Sequence, residues 1–338
     1  MSDTKTAFVT GATGLLGNHL VRALLAQGWQ IRALVRSDEK GRRQFGDIAG
    51  IERVSGDMKN VAAFADRLAG CDVLFHTAAY FRDNYKGGNH WDALQAINVA
   101  GTQCLLEQAY QAGIRRFVHT SSIAVLAGEP GQLLDETCLR RPENADDYYR
   151  SKIMADEVVL DFLQRHPDMH GSMVLPGWMW GPADLGPTSS GQLARDVLRG
   201  KLPGLMAGSF SLVDARDVAQ ALILAAERGK RGARYLAAGR HITMQELVPL
   251  LGDIAGVKTP TRVLPFALLY ALAALQEAYS RLSGKPILLS LATVKLMMQE
   301  ADRSHYNPAK SERELGLSFR PLEQTLGDTL NWIRANAL

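Results

Sequence analysis

The segment DDYYRSK, residues 146–152, places two tyrosines beside a lysine, a combination that can transfer a proton. A tyrosine hydroxyl has a pKa of about 10. A nearby lysine cation favours the phenolate and brings that pKa toward the range useful to a general acid or base. The segment opens a predicted helix that runs to Gln164, and residues three or four apart share a helix face. Spacing alone therefore lets either Tyr148 or Tyr149 pair with Lys152.

A glycine-rich turn is the second chemical signal. Three glycines in the spacing G-x-x-G-x-x-G follow a predicted strand at 6–10 and precede a helix that runs to about Gln27. Such a turn lets a phosphate approach the backbone and points a helix N-terminus at a pyrophosphate. We predict that it binds a dinucleotide through Gly11, Thr13, Gly14, Leu15, Leu16 and Gly17.

The end of the second predicted strand, residues 30–36, indicates which dinucleotide is bound. Arg36 stands where many NAD sites carry an acidic residue for the ribose 2′-hydroxyl, and Lys40, Arg42 and Arg43 follow closely. Guanidinium groups suit a 2′-phosphate. The sequence therefore favours NADP(H), held by Arg36 and Arg43, over NAD(H). The alternative is that some of the three later cations are solvated surface charges.

Strands that alternate with helices must position these residues. Runs rich in β-branched residues at 6–10, 30–36, 51–55, 71–76, 115–121 and 172–176 are separated by helical patterns, which indicates βαβ units and a parallel sheet. We predict an α/β fold with a Rossmann-type, doubly wound parallel sheet over residues 1–176. Residues 177–338 are expected to form mainly a smaller substrate-binding lobe, with some segments returning to the first domain and the ligand lying between the two.

Several residues follow predicted strands at the edge where a dinucleotide would lie. Asp57 either reaches the adenine amino group or caps a helix from Val61. Small side chains after the fourth strand permit close approach of the ribose and nicotinamide. We assign further cofactor contacts to Asp57, Met58, Thr77, Ala78 and Ala79.

Charge and composition narrow the class of protein. A net charge of +3 gives no reason to expect nucleic acid as a partner. Cys71, Cys104 and Cys138 have no metal-ligand spacing, so we predict no metal site and reduced thiols in a cytoplasmic protein without a signal peptide. The apolar stretch 263–276 is shorter than the roughly 20 residues of a membrane span. It predicts a helix packed on a core or lining a pocket, with contact to a membrane surface as the alternative.

These motifs together resemble the extended short-chain dehydrogenase/reductase family, part of the NAD-dependent epimerase/dehydratase superfamily. TGATGLLG is similar to its cofactor motif, HTSSIAVL (119–126) to its catalytic serine strand, and Tyr148 with Lys152 to its Y-x-x-x-K pair. NVAGT (98–102) and LPGWMWGP (175–182) resemble two further family segments. The likeness covers nearly the whole chain. It is nearest to the branch of dihydroflavonol-4-reductase-like proteins that includes hopanoid-associated sugar epimerases.

The resemblance implies roles for the site residues. Its register selects Ser122 over Thr120 and Ser121 to orient the substrate oxygen, and Tyr148 over Tyr149 to transfer the proton. Lys152 is then expected to hold the nicotinamide ribose as well. Further cofactor contacts are implied for Asn98, Tyr148, Lys152, Pro176, Gly177 and Trp178. Four aromatic residues form either a substrate wall or ordinary packing: Tyr80, Phe81, Trp178 and Trp180.

We therefore predict an NADP(H)-dependent oxidoreductase that reduces a hydrophobic or aromatic aldehyde or ketone as a dihydroflavonol 4-reductase does. The alternative is an NAD(P)-dependent nucleotide-sugar epimerase or dehydratase, which would use the same three catalytic residues. A non-catalytic cofactor-binding protein is disfavoured because Ser122, Tyr148 and Lys152 are all present. A homodimer is an expectation from the family alone.

Overall fold

The largest element of the fold is a parallel sheet of seven strands. The computed structural model describes residues 4–81, 89–283, 291, 294–295, 298 and 300–336. The strands of the sheet are β1 Thr6–Thr10, β2 Gln30–Val35, β3 Ile51–Ser55, β4 Val73–His76, β5 Arg116–Thr120, β6 His170–Pro176 and β10 Arg234–Ala237. They lie in the order β3-β2-β1-β4-β5-β6-β10. The chain thus leaves β1 in both directions, which confirms the predicted doubly wound Rossmann-type sheet.

Helices cover both faces of this sheet, because its strands alternate apolar side chains between two cores. One core joins β1 to α1 (Leu15–Ala26), α7 (Ala215–Arg228) and α10 (Ala309–Leu315). The other joins the sheet to the 3₁₀ helix Val61–Leu68, α4 (Gly101–Gln111) and α5 (Asp147–Arg165). Ala7 and Val9 face the first core and Phe8 the second, and all three are fully buried.

Shorter helices connect these layers. They are α2 (Asp38–Phe45), α3 (Trp91–Leu94) and the 3₁₀ turns Ile123–Val125 and Pro142–Asn144. A π-helical turn, Gln95–Ala100, joins α3 to α4. Turns of this kind occur often at functional sites.

A smaller lobe has a third core of its own. Its mixed sheet consists of β7 Trp178–Trp180, β9 Ser209–Asp214 and β11 Arg240–Thr243, and β8 Leu205–Met206 pairs with β12 Val263–Leu264. The helices are α6 Ser189–Leu198, α8 Met244–Ala255, α9 Phe266–Ser283 and α11 Leu322–Ala335. Trp180 of β7 and Leu247 of α8 are both fully buried in this core.

The second half of the chain also contributes to the main sheet. Strand β10 pairs with β6, and α7 packs on α1. The division of the chain at residue 176 stays a prediction.

Cys71, Cys104 and Cys138 are free thiols. Within the described ranges, no helix combines the length and apolar character needed to cross a membrane.

Candidate active site

The glycine-rich turn between β1 and α1 leaves backbone groups open to a ligand. Gly11 has a φ of +65°, and a Cβ there would lie 2.8 Å from the Ala78 nitrogen. A Cβ on Gly17 would lie 2.2 Å from the Gly11 oxygen, so only glycine lets α1 begin this close to the turn. Gly14 is exposed at the N-cap, and no side chain caps the helix. These features fit the pyrophosphate of a dinucleotide.

The side chains within the turn mainly anchor it. Leu15 and Leu16 are buried, which leaves their backbone as the part that can meet a phosphate, and Thr13 is half-buried. The chain after β4 lies alongside. Thr77 Oγ1 donates to the Thr10 oxygen over 2.6 Å, and the Ala78 nitrogen donates to Thr10 Oγ1 over 3.1 Å.

The basic residues after β2 differ in their surroundings. Arg36 and Arg43 are exposed, and neither forms an ion pair with a residue that the structure describes. Arg42 pairs with Asp38 at 2.8 Å. Arg42 is thus a paired surface charge, as the alternative interpretation expected. Arg36 directly follows β2, and Arg43 lies in α2.

Asp57 shapes a turn instead of capping a helix. Its Oδ1 accepts a hydrogen bond from the Lys59 nitrogen at 2.8 Å, and the N-cap of the helix from Val61 is Asn60. The capping alternative is therefore wrong, and contact between Asp57 and adenine stays a prediction. Met58 is buried in the second core, and its backbone oxygen lies beside Gly101.

Ser122 and Tyr148 meet where β5 ends and α5 begins. The Asp146 carboxylate caps α5 by accepting from the Tyr149 nitrogen at 2.7 Å, which fixes the start of the helix. The side chains of Ser122 and Tyr148 are hydrogen-bonded to each other. Ser122 Oγ also accepts from the Ala124 nitrogen at 3.1 Å. Ser122 thus both caps the 3₁₀ turn Ile123–Val125 and is a partner of Tyr148.

Tyr149 has different neighbours. The Arg140 guanidinium lies 4.8 Å above its ring, and Glu300 pairs with Arg140 at 2.9 Å. Burial and the Glu300 carboxylate raise the pKa of Tyr149. The hydroxyl that the structure joins to Ser122 is that of Tyr148.

Lys152 lies one helical turn after Tyr148 and is 3% exposed. Its Nζ donates to the Thr120 oxygen at 2.7 Å. Burial lowers the pKa of Lys152 to about 8, and the nearby Asp156 carboxylate opposes the shift. The ammonium is therefore the main form at neutral pH. The hydroxyl oxygens of Thr120 and Ser121 are buried.

The pKa of Tyr148 departs from the sequence-based expectation. Lys152 was expected to lower it, but burial raises it, and the bond with Ser122 opposes that rise only in part. The reason is that a phenolate loses its hydration in this enclosed position. In the protein alone, Tyr148 keeps its proton at neutral pH.

Asn98 lies in the π-helical turn and is buried. Its amide accepts from the Tyr80 nitrogen at 2.7 Å and donates to the Tyr80 oxygen at 3.1 Å. It also donates to Ser151 Oγ at 3.0 Å, and Ser151 donates to the Tyr148 oxygen. Asn98 therefore orients the loop after β4 and the helix that carries Tyr148.

The four aromatic candidates separate by burial. Phe81 is 39% exposed and meets the Tyr148 ring at 4.8 Å, edge to face. The Tyr80 hydroxyl bonds to His90 at 2.9 Å. Trp180 is fully enclosed in the core of the lobe, so ordinary packing is the alternative that applies to it. Trp178 is half-buried, packs on Phe210 and donates to Ser189.

The segment Pro176–Gly177–Trp178 passes from the main sheet to the lobe. Pro176 ends β6 and Trp178 begins β7. A Cβ on Gly177 would lie 2.5 Å from both the Ala238 and Ser211 oxygens. Only glycine allows the chain to cross at this point.

Sequence reasoning missed a buried charged group behind Lys152. Asp156 is 1% exposed, and its Oδ2 lies 3.0 Å from Arg234 Nε of β10. The position of Asp156, four residues after Lys152 on one helix face, was a usable signal.

His76 bonds to Thr10 at 2.8 Å, and burial lowers its pKa to about 3, so it is a neutral strand residue.

One group of side chains in the described chain has metal-ligand chemistry: His241, Asp302 and His305. The two imidazole rings stack with centroids 3.6 Å apart and planes inclined by 16°. Their in-plane lone pairs therefore run side by side and do not converge on one ion. We infer no metal site from this group.

Comparison with known proteins gives a consistent family. The model of the NAD dependent epimerase/dehydratase family matches residues 7–238. The chain is 34% identical to a putative dihydroflavonol 4-reductase of Synechocystis, covering 97% of this chain and 94% of that protein. It is 31% identical to sterol demethylase protein B of Methylococcus capsulatus, over 98% and 99% of the two chains. It is 33% identical to a farnesyl-dihydroquinoline-oxide ketoreductase of Stigmatella aurantiaca, over 96% and 95%.

Solved structures share the fold over nearly the whole chain. The crystal structure of gox2253 has a TM-score of 0.82 at 30% identity and covers 98% of this chain and 99% of its own. The yeast methylglyoxal/isovaleraldehyde reductase Gre2, solved with NADPH, has a TM-score of 0.76 at 20% identity, with 98% and 99% covered. The dTDP-glucose 4,6-dehydratase DesIV of Streptomyces venezuelae, solved with NAD, has a TM-score of 0.77 at 22% identity, with 98% and 97% covered.

Proposed function

The chain belongs to the NAD-dependent epimerase/dehydratase family of NAD(P)-dependent enzymes, and from that premise we propose that it is an NADP(H)-dependent reductase of an apolar aldehyde or ketone. The observation that carries the proposal is the hydrogen bond between Ser122 and Tyr148 beside the buried Lys152. The protonated Tyr148 phenol suits the reductive direction, in which the oxygen of the substrate must gain a proton.

In this proposal, four residues of the chain have separate roles in the reduction. Reduced nicotinamide supplies the hydride when bound. Ser122 and Tyr148 hold the carbonyl oxygen by hydrogen bonds, and Tyr148 gives its proton to that oxygen. The Lys152 cation favours the phenolate that remains, which offsets part of the cost of a buried negative charge. Asn98 keeps α5 and the loop at Tyr80 in register, so these groups stay aligned.

The preference for NADP(H) is supported by two exposed guanidinium groups. Arg36 directly follows β2 and Arg43 lies in α2, the next helix, and we propose that both face the adenosine ribose. A paired guanidinium has less charge to offer a 2′-phosphate, and Arg42 is paired with Asp38. Arg42 is therefore a matched control for Arg36.

An apolar substrate is supported by the surroundings of Tyr148. Leu94 and Ala124 are buried against its ring, with Trp91 packed beside them, and Phe81 covers its edge. Two relatives carry names that refer to sterols and to a farnesylated quinoline oxide. We propose that a bulky apolar carbonyl compound occupies this side of the site.

The test joins cofactor binding to turnover. Calorimetry is expected to show tighter binding of NADPH than of NADH to the wild type. Arg36→Ala should remove most of that difference and Arg42→Ala should keep it. NADPH oxidation is then followed with a panel of apolar and polar carbonyl compounds. Equal affinity for both cofactors, or turnover of none of the carbonyls, would overturn the proposal.

The second candidate is a nucleotide-sugar epimerase or dehydratase. It is favoured by the solved neighbours that act on sugar nucleotides, although these share only the fold. An enzyme of that kind regenerates its cofactor in each turnover. Protein that retains NAD through purification and converts a sugar nucleotide without net oxidation of NADPH would support it over the reductase.

A further inference from the structure

Helix α9 exposes an unusual amount of apolar surface. Nine large apolar side chains are exposed in the described chain, and four lie between residues 263 and 279. Leu275 is 68% exposed and Leu268 44% exposed. No charged residue occurs between Arg262 and Glu277. Isolated exposed leucines are ordinary, but a group on one short segment marks a contact surface.

The exposed residues form one continuous face. Leu268 and Leu275 are two helical turns apart, and exposed alanines fill the positions around them: Ala267, Ala271, Ala274 and Ala278. The opposite face of α9 is buried, since Leu269 and Ala273 pack on Val294, Leu264 and Met206. A helix that is apolar on all sides is normally buried on all sides. We call the exposed residues the α9 face.

We propose that the α9 face docks on the surface of a lipid membrane. The proposal rests on the apolar substrate proposed above, because a compound of that kind partitions into a bilayer. The α9 helix has 18 residues and does not qualify as a membrane span. It would instead lie flat on the membrane as an interfacial helix does, with its apolar side in the headgroup region. The opposite side of α9 packs on the protein itself.

Charge next to the helix supports a lipid surface. Lys258 and Arg262 are exposed in the segment that leads into α9, and neither pairs with a described acidic residue. Cations beside an apolar face favour anionic headgroups. A second copy of the chain is a weaker occupant. Lys258 and Arg262 of one copy would lie near the same cations of the other, and like charges repel. A stable dimer also buries roughly 800 Å² on each partner, and the α9 face has few large side chains to supply that area.

The experiment measures co-flotation of the full chain with vesicles. One set contains phosphatidylcholine alone and the other contains phosphatidylcholine with phosphatidylglycerol. Leu275→Glu is compared with Leu133→Glu, since Leu133 is an exposed leucine elsewhere, at 61%. Leu275→Glu is expected to weaken binding about tenfold or more, while Leu133→Glu leaves it unchanged. Arg262→Glu should lose only the additional binding to the anionic vesicles.

Every outcome of this experiment either supports or overturns docking of the α9 face on a membrane. Absence of vesicle binding by the wild type, or equal binding by Leu275→Glu, would overturn the proposal. So would light scattering that shows a wild-type dimer and a Leu275→Glu monomer, which would assign the face to a second copy. NADPH affinity and reduction of a water-soluble carbonyl are measured for every variant. If the wild type reduces the carbonyl but does not float with vesicles, the membrane proposal fails and the proposed reductase function stands. If the wild type floats but does not reduce the carbonyl, the proposed reductase function fails.

Discussion

At the scale of single residues, the two adjacent tyrosines differ in what surrounds their hydroxyl groups. Tyr148 is bonded to Ser122, whereas the ring of Tyr149 lies below Arg140. We expect Tyr148→Phe to lower kcat for carbonyl reduction about 10²- to 10⁴-fold, the usual effect of removing a general acid. Tyr149→Phe should change kcat little. NADPH oxidation measures both, with NADPH affinity as the check on folding. The opposite ranking would assign proton transfer to Tyr149.

Lys152 sets an expected alkaline limit for the reaction. Burial lowers the pKa of this ammonium to about 8, against the effect of Asp156. A lysine with a lowered pKa keeps its charge only below that value. The kcat/KM for reduction should therefore fall as the pH rises past about 8.

Asp156 should control where that fall occurs. Because its carboxylate raises the pKa of Lys152, Asp156→Asn is expected to move the alkaline fall in kcat/KM to lower pH. Asp156→Glu should restore it. Glu157→Gln removes an exposed carboxylate from the same helix and serves as the control. An unchanged pH profile in Asp156→Asn would show that Asp156 acts only through its bond to Arg234.

At the scale of elements, Gly17 determines how closely α1 approaches the turn that precedes it. An alanine there would place Cβ 2.2 Å from the Gly11 oxygen, so the helix must move. We expect Gly17→Ala to destabilise the fold by about 1–3 kcal/mol and to weaken NADPH binding.

The control for Gly17→Ala is another glycine within a helix. A Cβ on Gly327 of α11 would lie 3.9 Å from Ile254 Cγ2, an ordinary contact. Gly327→Ala is expected to stabilise the protein by up to about 1 kcal/mol, as alanine does in helices. Urea unfolding and calorimetry measure both variants. Equal effects of the two substitutions would mean that close packing of α1 on the turn is unimportant.

The elements around the site were predictable where sequence pattern and local geometry agree. The strand at Thr6–Thr10 and the helix after Gly14 were expected within a residue or two, because a buried apolar run meets a turn that only glycine can form. The π-helical turn at Gln95–Ala100 was not, since its sequence continues the helical pattern of the segments on either side.

Long-range contacts account for most of what sequence reasoning missed. Asp156 and Arg234 are 78 positions apart, and only the return of β10 to the main sheet brings them together. The burial of Trp180 likewise depends on α8 and α11, which lie far along the chain. The raised pKa of Tyr148 follows from burial, which the spacing of Tyr148 and Lys152 does not encode.

At the scale of the whole molecule, one polar network ties the lobe to the nucleotide-binding sheet. Asp214, whose side chain is fully buried, ends β9 and accepts from Arg216 Nε at 2.9 Å and Nη2 at 2.6 Å. Thr325 of α11 donates to the same carboxylate at 2.8 Å. Arg216 also pairs with Asp328 of α11 at 2.7 Å. Because α7 packs on α1, this network links α11 to the cofactor side of the molecule.

The network should make stability depend on pH. Burial raises the pKa of Asp214, but the hydrogen bonds from Arg216 and Thr325 outweigh burial and lower it overall. A carboxylate with a lowered folded pKa stabilises above its unfolded value of about 4 and loses that effect as the pH falls through its folded value. Asp214→Asn should therefore cost about 3 kcal/mol at neutral pH, as loss of one partner of a buried pair does.

The difference between wild type and Asp214→Asn should shrink as the pH falls below about 4, because the carboxyl of the unfolded chain takes up a proton there and the folded one follows at its lower pKa. Urea unfolding across this pH range measures the difference directly. Asp328→Asn is the matched control, because Asp328 is 38% exposed and contacts the same guanidinium. It should cost no more than about 1 kcal/mol. If Asp328→Asn costs as much as Asp214→Asn, the lobe is held at the exposed end of the network, and α11 would be expected to separate from the sheet in high salt.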